Sequence, residues 1–332
     1  MSGLLSYFRY RLSWLLAGVM LAPGVLAGPE SAASMRQILN EMSEAVRINN
    51  YHGTVVFLRD QKMGAMRVFH AFKDGVERER VVALNSPMRE VIRLGKDVTC
   101  YLPDERMVYV SRQPAHRSFL LQVPEGFESY EQFYNVRLVG TDHVAQKLTQ
   151  VIELRARDTF RYGRKIWIDQ ETRLPLRFEL VDDKGVLVEQ MMFTDFEVLR
   201  QLPDKMLSPS SNMEVSGWDV RDRKPIVHVN QAWSFDDVPA GFVQVFYRGS
   251  IMPTDKQIVE HILFSDGFSS VSVYVEKKGS DSVADYQQHW GAIHSYSRLL
   301  DGYQVTVLGA VPEKTVQAIG DGVGYLSVSN RQ

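Results

Sequence analysis

Along "RYGRKIWIDQETRLPLRFEL", residues 161–180, Ile166 and Ile168 alternate with Lys165, Trp167 and Asp169. Beyond the polar run 169–173, Leu174, Leu176, Phe178 and Leu180 alternate with Pro175, Arg177 and Glu179. Period two on both sides of a turn predicts paired strands of a sheet with one apolar face. The same texture runs from Tyr51 to Val110 in short apolar stretches broken by turns such as Lys73-Asp74-Gly75, which predicts an antiparallel meander. Residues 112–135 are less regular, with a short helix expected in "SYEQFYN"; strands resume in "VRLVG", "QVIELRARD" and "VLVEQMMFTDFEV". Ahead of all of them, Met35, Ile38, Leu39, Met42 and Val46 recur at helical spacing opposite Arg36, Gln37, Glu41 and Glu44, with Ser34 placed to cap the helix. A helix and about ten antiparallel strands predict a strongly curved sheet wrapped on that helix.

The periodicity lapses over 200–213, "RQLPDKMLSPSSNM", which reads as a linker. Strands return in "GFVQVFYR", "HILFS", "SSVSVYVEKK" and "YQVTVLGA", and "VPEKTVQAIGDGV" adds a short helix with Pro312 in its first turn. The fold class expected is α+β, mainly antiparallel β, with a large domain over 28–199 and a smaller α+β domain over 214–328.

Residues 1–27 differ from the rest. Arg9 and Arg11 precede the apolar run Leu12 to Leu26, and Val25-Leu26-Ala27 has the small residues a signal peptidase reads. A run of about 15 apolar residues broken by Pro23 and Gly24 falls short of a membrane span, so a secretory leader cut before Gly28 and a periplasmic mature protein are expected. Losing Arg9 and Arg11 leaves 36 basic against 40 acidic side chains, a formal charge of −4. That balance argues against nucleic acid as a partner. Cys100 is the only cysteine, so no internal disulfide forms and an exported chain must rely on its cores; in "DVTCYL" it reads as a small hydrophobe.

No enzyme motif is present: there is no Gly-x-Ser-x-Gly, no His-Glu-x-x-His and no phosphate-cradling loop between strand and helix. Gly320, Gly322 and Gly324 in "GDGVGY" read as a helix stop and loop. His289 and His294, five apart, do not share a face of one helix or strand and have no Cys or carboxylate beside them. Catalysis, cofactor and metal are therefore not expected.

What could carry function is an apolar enclosure. Tyr101, Tyr109, Phe119, Phe127, Tyr130, Phe133 and Tyr134, with the Met-bearing helix, read as core singly, and together as a lining for an acyl chain. The lining residues expected are Met35, Leu39, Met42, Ile166, Ile168, Leu176, Phe178 and Leu180. The run "RARDTFRYGRK", with a local charge of +4, offers Arg157, Arg161 and Arg164 to an anionic headgroup, although such runs are usually solvated faces. In the small domain, "HILFSDGFSSVSVYVE" has a tight turn at Ser265-Asp266-Gly267 flanked by Phe264 and Phe268.

"ERVVALNSPMREVIR", "RYGRKIWIDQETRLPLRFELVDDKGVLVEQMMF", "FSDGFSSVSVYVE" and "DGYQVTVLGAVPEKTVQAI", in that order, resemble the RseB/MucB family of periplasmic regulators of the envelope-stress sigma factor. The resemblance implies a large domain like the lipoprotein carriers LolA and LolB, an unclosed β-barrel with helices over its mouth, joined to a small C-terminal domain. It also implies a partner, the periplasmic part of an anti-sigma factor of the RseA or MucA kind, which the protein shields from proteolysis until lipopolysaccharide or mislocalised lipoprotein releases it. Phe264, Asp266 and Phe268 are then the residues offered to that partner. A carrier of the LolA kind is the alternative, and would have no use for residues 214–328. Association with further copies of the chain stays open.

Overall fold

The computed structural model describes residues 32–112, 131–210, 215–222, 226–251, 257–277 and 286–326; Phe119, Phe127 and Tyr130 lie outside them. Helix α1 spans Ala32–Ile48 and buries the stripe its periodicity marks: Met35, Ile38, Leu39, Met42, Ala45 and Val46. It begins two residues before Ser34, which sits inside the first turn and is not the cap.

The strands that follow are β1 (Asn50–Arg59), β2 (Lys62–Lys73), β3 (Val76–Ala83), β4 (Glu90–Leu94), β5 (Asp97–Leu102), β6 (Met107–Arg112), β7 (Tyr134–Val144), β8 (Lys147–Ala156), β9 (Gly163–Asp169), β10 (Pro175–Val181) and β11 (Leu187–Leu199). A short β12 (Asp219–Asp222) completes a sheet of order β12-β6-β5-β4-β3-β2-β1-β11-β10-β9-β8-β7. Nothing pairs β12 with β7, so among the described residues the sheet is unclosed. Helix α1 packs on it in two patches. Ile38, Leu39 and Met42 meet Tyr134, Ile152, Leu154, Ile166 and Ile168, while Ala45 and Val46 meet Tyr51, Val55, Val68 and Phe193.

The linker expected at 200–213 is tied down over its described part. Helix α2 (Asp204–Leu207) buries Leu207, with Leu202, against Phe69 and Ala71 of β2. Arg80 of β3 ties Glu90, Ser210 and the Met206 carbonyl into one network. The chain then returns to the large sheet, because β12 pairs in parallel with β6. The small sheet therefore begins at about residue 226 rather than 214.

The rest of the chain forms β13 (Ile226–Val227), β14 (Trp233–Phe235), β15 (Val243–Ile251), β16 (Ile258–Ser265), β17 (Ser270–Lys277), β18 (Tyr286–Trp290), β19 (Ile293–Leu300), β20 (Tyr303–Gly309), helix α3 (Glu313–Asp321) and β21 (Val323–Tyr325). Seven strands make a second sheet of order β13-β15-β16-β17-β20-β19-β18, and β14 pairs with β21. Val316 and Ile319 of α3 close one face over Ile262, Val273, Val275, Val305 and Val307. Pro312 precedes the first helical residue, and the Gly322 N–H donates to the Ala318 carbonyl at the other end. There Arg298 donates to the carbonyls of Gly320, Asp321 and Val323, satisfying acceptors that a helix end leaves open. Each sheet has its own core, yet residues 31–332 pack as one compact unit.

Candidate functional site

The turn between β16 and β17 is where the two sheets meet. Ser265 ends one strand and Ser270 begins the next, with Gly267 in the left-handed region at φ 89°. The Asp266 carboxylate builds the turn from inside, with Oδ1 accepting from the N–H groups of Phe268 (3.0 Å) and Ser269 (2.7 Å). Its other oxygen faces the large sheet. Oδ2 accepts from the Tyr134 hydroxyl at 3.0 Å and lies 3.5 Å from Nη1 of Arg161. Neither Asp266 nor the Arg161 side chain reaches solvent.

Phe268 leaves its own domain altogether. It is buried in the large-sheet cluster of Ile38, Leu39, Met42, Ile152, Ile166 and Ile168, with Phe178 at its margin. Its ring meets that of Tyr134 edge-on at 5.3 Å, a favoured aromatic geometry. The Arg164 guanidinium lies over the ring, 5.1 Å from its centroid, while donating to the Tyr134 hydroxyl, the Tyr162 carbonyl and Ser269 Oγ. Arg161 lies against Phe133 and Phe242, donates through Nη2 to the Ala240 carbonyl, and pairs with Asp158 at 3.3 Å. Its Nε and Nη1 make no hydrogen bond among the described residues. Burial pushes the Tyr134 hydroxyl far above its ordinary range, so it stays a proton donor to Asp266.

A second contact lies along the β1–β2 and β18–β19 turns. The Gly291 N–H donates to Asp60 at 2.6 Å and the Ala292 N–H to Glu189 at 2.8 Å, while Arg59 pairs with Glu189 and lies over the Trp290 ring. Nearby, Tyr162 and Leu180 of the large unit enclose Ala292, and Thr315 donates to the Phe160 carbonyl. Burial, then the charges of Glu189 and Asp182, lift the Tyr162 hydroxyl to about 12. His289 and His294 are directly opposed in the β18–β19 hairpin, rings 5.9 Å apart. Their spacing is one that a hairpin, unlike a helix or single strand, brings onto one face. No group of three or more candidate metal ligands occurs among the described residues.

Several expected roles change in this setting. Arg161 and Arg164 are not a solvated run: they are buried under the small domain and unavailable to a headgroup in this arrangement, whereas Arg157 is exposed. Phe264 is buried in the small-domain core against Phe235, so it too is closed to a partner, as are Asp266 and Phe268. The apolar face of the 161–180 hairpin is divided by a register shift between Pro175 and Arg177. Leu176 joins the cluster around Leu174 and Trp167, Phe178 borders Phe268's cluster, and Leu180 meets Tyr162. The aromatic set disperses as well, since Tyr109 on β6 is exposed at the far end of the sheet from Tyr134 on β7. Cys100 is half-buried and burial pushes its thiol up, which disfavours the reactive thiolate.

Ala240, Phe242, Ser269, Asp60 and Glu189 have no signal of their own in the sequence. Arg164 has one: it stands two residues before Ile166 and four before Ile168, on the apolar side of the alternation. A small depression of about 160 Å³ opens beside the contact, lined by Met35, Arg36, Glu131, Tyr134, Val136 and Arg157.

Comparison with known proteins accounts for both halves of this arrangement. Residues 34–211 match the MucB/RseB N-terminal domain and residues 227–324 the MucB/RseB C-terminal domain. The Sigma-E factor regulatory protein RseB of Salmonella typhimurium is 27% identical over 326 residues, covering 96% of this chain and 98% of that one. The Sigma factor AlgU regulatory protein MucB of Pseudomonas aeruginosa is 28% identical over 315 residues, covering 92% and 94%. Among solved structures, the Pseudomonas aeruginosa MucA/MucB complex superposes with a TM-score of 0.71 at 26% identity, and MucB in complex with MucA(peri) with 0.69 at 25%. Each alignment covers 88% of this chain and 99% of the solved one. With the two domains matched in order over most of the chain, the chain belongs to the MucB/RseB family.

Proposed function

We propose that this protein is an exported regulator that holds the periplasmic segment of a membrane anti-sigma factor of the MucA or RseA kind. While held, the segment is kept from the protease that begins its destruction, and an acyl-bearing envelope component such as lipopolysaccharide or mislocalised lipoprotein loosens the hold. The observation that carries this reading is that similarity to relatives named as sigma-factor regulators spans both sheets, at 96% of the chain. Solved relatives that share the arrangement are described in complex with MucA. A lipid carrier would need only the large sheet and α1. Here Phe268 of the small sheet is buried in the large one, which is what a device transmitting occupancy from one domain to the other requires. No helix among the described residues is long and apolar enough to cross a membrane.

Calorimetric titration of the exported chain with the purified periplasmic segment of its cell's anti-sigma factor tests the reading, alongside digestion of that segment by its initiating protease. Saturable binding together with slowed cleavage is expected. Absence of binding would leave the carrier reading in its place.

A further inference from the structure

The β16–β17 turn presents two groups to the large domain, a carboxylate and, two residues on, a phenyl ring. The carboxylate sits before Arg161 and Tyr134, and the ring enters an apolar cluster formed by α1, β8 and β9. An anion attached to an apolar tail has the same two parts in the same order. We propose that the turn is an internal stand-in for an anionic amphiphile, and that the space it fills is a ligand site. The ligand's acyl chain takes the place of Phe268 and its carboxylate or phosphate takes the place of Asp266.

Three observations support this assignment. Asp266 does not satisfy the guanidinium it faces: Nε and Nη1 of Arg161 are buried without a hydrogen bond among the described residues, although carboxylate oxygens lie at 3.3 and 3.5 Å. A free headgroup, unconstrained by a turn, can approach both more closely. The seat also adjoins the surface, since Tyr134, which contacts both Phe268 and Asp266, lines the open depression with Met35, Arg157 and the Arg36–Glu131 ion pair. Finally, that depression, at about 160 Å³, is below the roughly 300–1,000 Å³ of ordinary ligand pockets. A chain long enough to bind must take the ring's volume as well.

Withdrawal of the turn breaks the contact through Asp266, Phe268 and Ser269, so filling the site changes how the domains are held. This deepens the lipid arm of the function proposed above and rests on it. The probe is a dansyl-labelled undecanoic acid, with its methyl ester as the uncharged control and dodecyl phosphate as a competitor that separates phosphate from carboxylate recognition. The exported full-length chain is compared with Phe268→Ala. The apparent affinity of a site falls with the fraction of molecules in which it is open, so the variant is expected to bind the acid about tenfold more tightly or better, and the ester with little gain. In the unaltered protein, saturation with the acid is expected to speed hydrogen exchange across residues 264–270. That second measurement stands even if Phe268→Ala folds poorly. If both proteins bind the acid equally and exchange at 264–270 does not move, the inference is overturned while lipid binding elsewhere survives. If neither binds any amphiphile, both the inference and the lipid arm fall, and capture of the anti-sigma segment is judged on its own titration.

Discussion

Replacing Asp266 with alanine removes the single carboxylate on which Tyr134, Arg161 and the backbone of the β16–β17 turn converge. What remains is a guanidinium with no solvent exposure, held by Asp158 at 3.3 Å and by the Ala240 carbonyl. Removing one partner of a buried pair costs about 3–5 kcal/mol where the other charge is left uncompensated, and the remaining Asp158 partner puts this case at the lower end, about 3 kcal/mol. The two turn N–H groups lose their acceptor too, at roughly 1 kcal/mol for each that water cannot reach. The expected loss is thus about 4 kcal/mol, read from urea unfolding of the full chain followed by circular dichroism and tryptophan fluorescence. Arg161→Met in the same molecule is expected to restore part of it, since a buried pair replaced by apolar groups is often neutral; the coupling should lie within about 0.5–3 kcal/mol. A loss below about 1 kcal/mol for Asp266→Ala would refute the reasoning, because that is what an exposed pair contributes.

Three further outcomes follow from neighbouring features. Gly241 sits at φ +90° with the position of a Cβ only 2.5 Å from the Phe133 ring, whereas Gly75 sits at φ +77° in open space. Gly75→Ala should cost about 1 kcal/mol of backbone strain and Gly241→Ala distinctly more, compared by thermal unfolding. The Tyr162 hydroxyl titrates at about 12 in the folded chain against 10.0 for an ordinary tyrosine. The unfolded chain therefore ionises first: the contribution is intact below pH 10 and is lost as pH climbs through 12, so Tyr162→Phe should flatten the fall in unfolding free energy over that window. Arg157 is exposed where Arg161 and Arg164 are buried. Arg157→Glu should thus weaken binding of an anionic amphiphile by no more than about 1 kcal/mol, with the effect vanishing in high salt, and a larger or salt-independent effect would place the residue inside the site.

Most of the fold can be read from hydrophobic alternation. The helical stripe Met35, Ile38, Leu39, Met42 and Val46 is the buried stripe of α1, and the turn at Ser265-Asp266-Gly267 lies where its residues place it. Alternation reports which side of a strand is apolar and is silent on what covers it. Phe268 accordingly reads as an exposed flank of a turn and is a buried residue of the other domain. The same silence makes Arg161 and Arg164 read as accessible, to a headgroup or to solvent, since local charge density carries no information on burial under a distant segment. The register shift at Pro175–Arg177 escapes for another reason: a single unpaired residue leaves the sequence period unchanged while redirecting Leu176. Composition is likewise silent on how 200–210 is held, where Leu202 and Leu207 among Pro and Ser pack against Phe69 and Ala71 of β2.

The central claim is that occupancy of the large domain and capture of the anti-sigma segment are one linked equilibrium. Its most direct test is to titrate the exported protein with the periplasmic segment, with and without saturating amphiphile, and then to titrate the amphiphile with and without the segment. Linkage requires equal factors in the two directions, and a coupling of about 5- to 150-fold is expected, with each ligand weakening the other. Affinities that do not change in either direction would contradict the claim and leave two binding functions that merely share a chain.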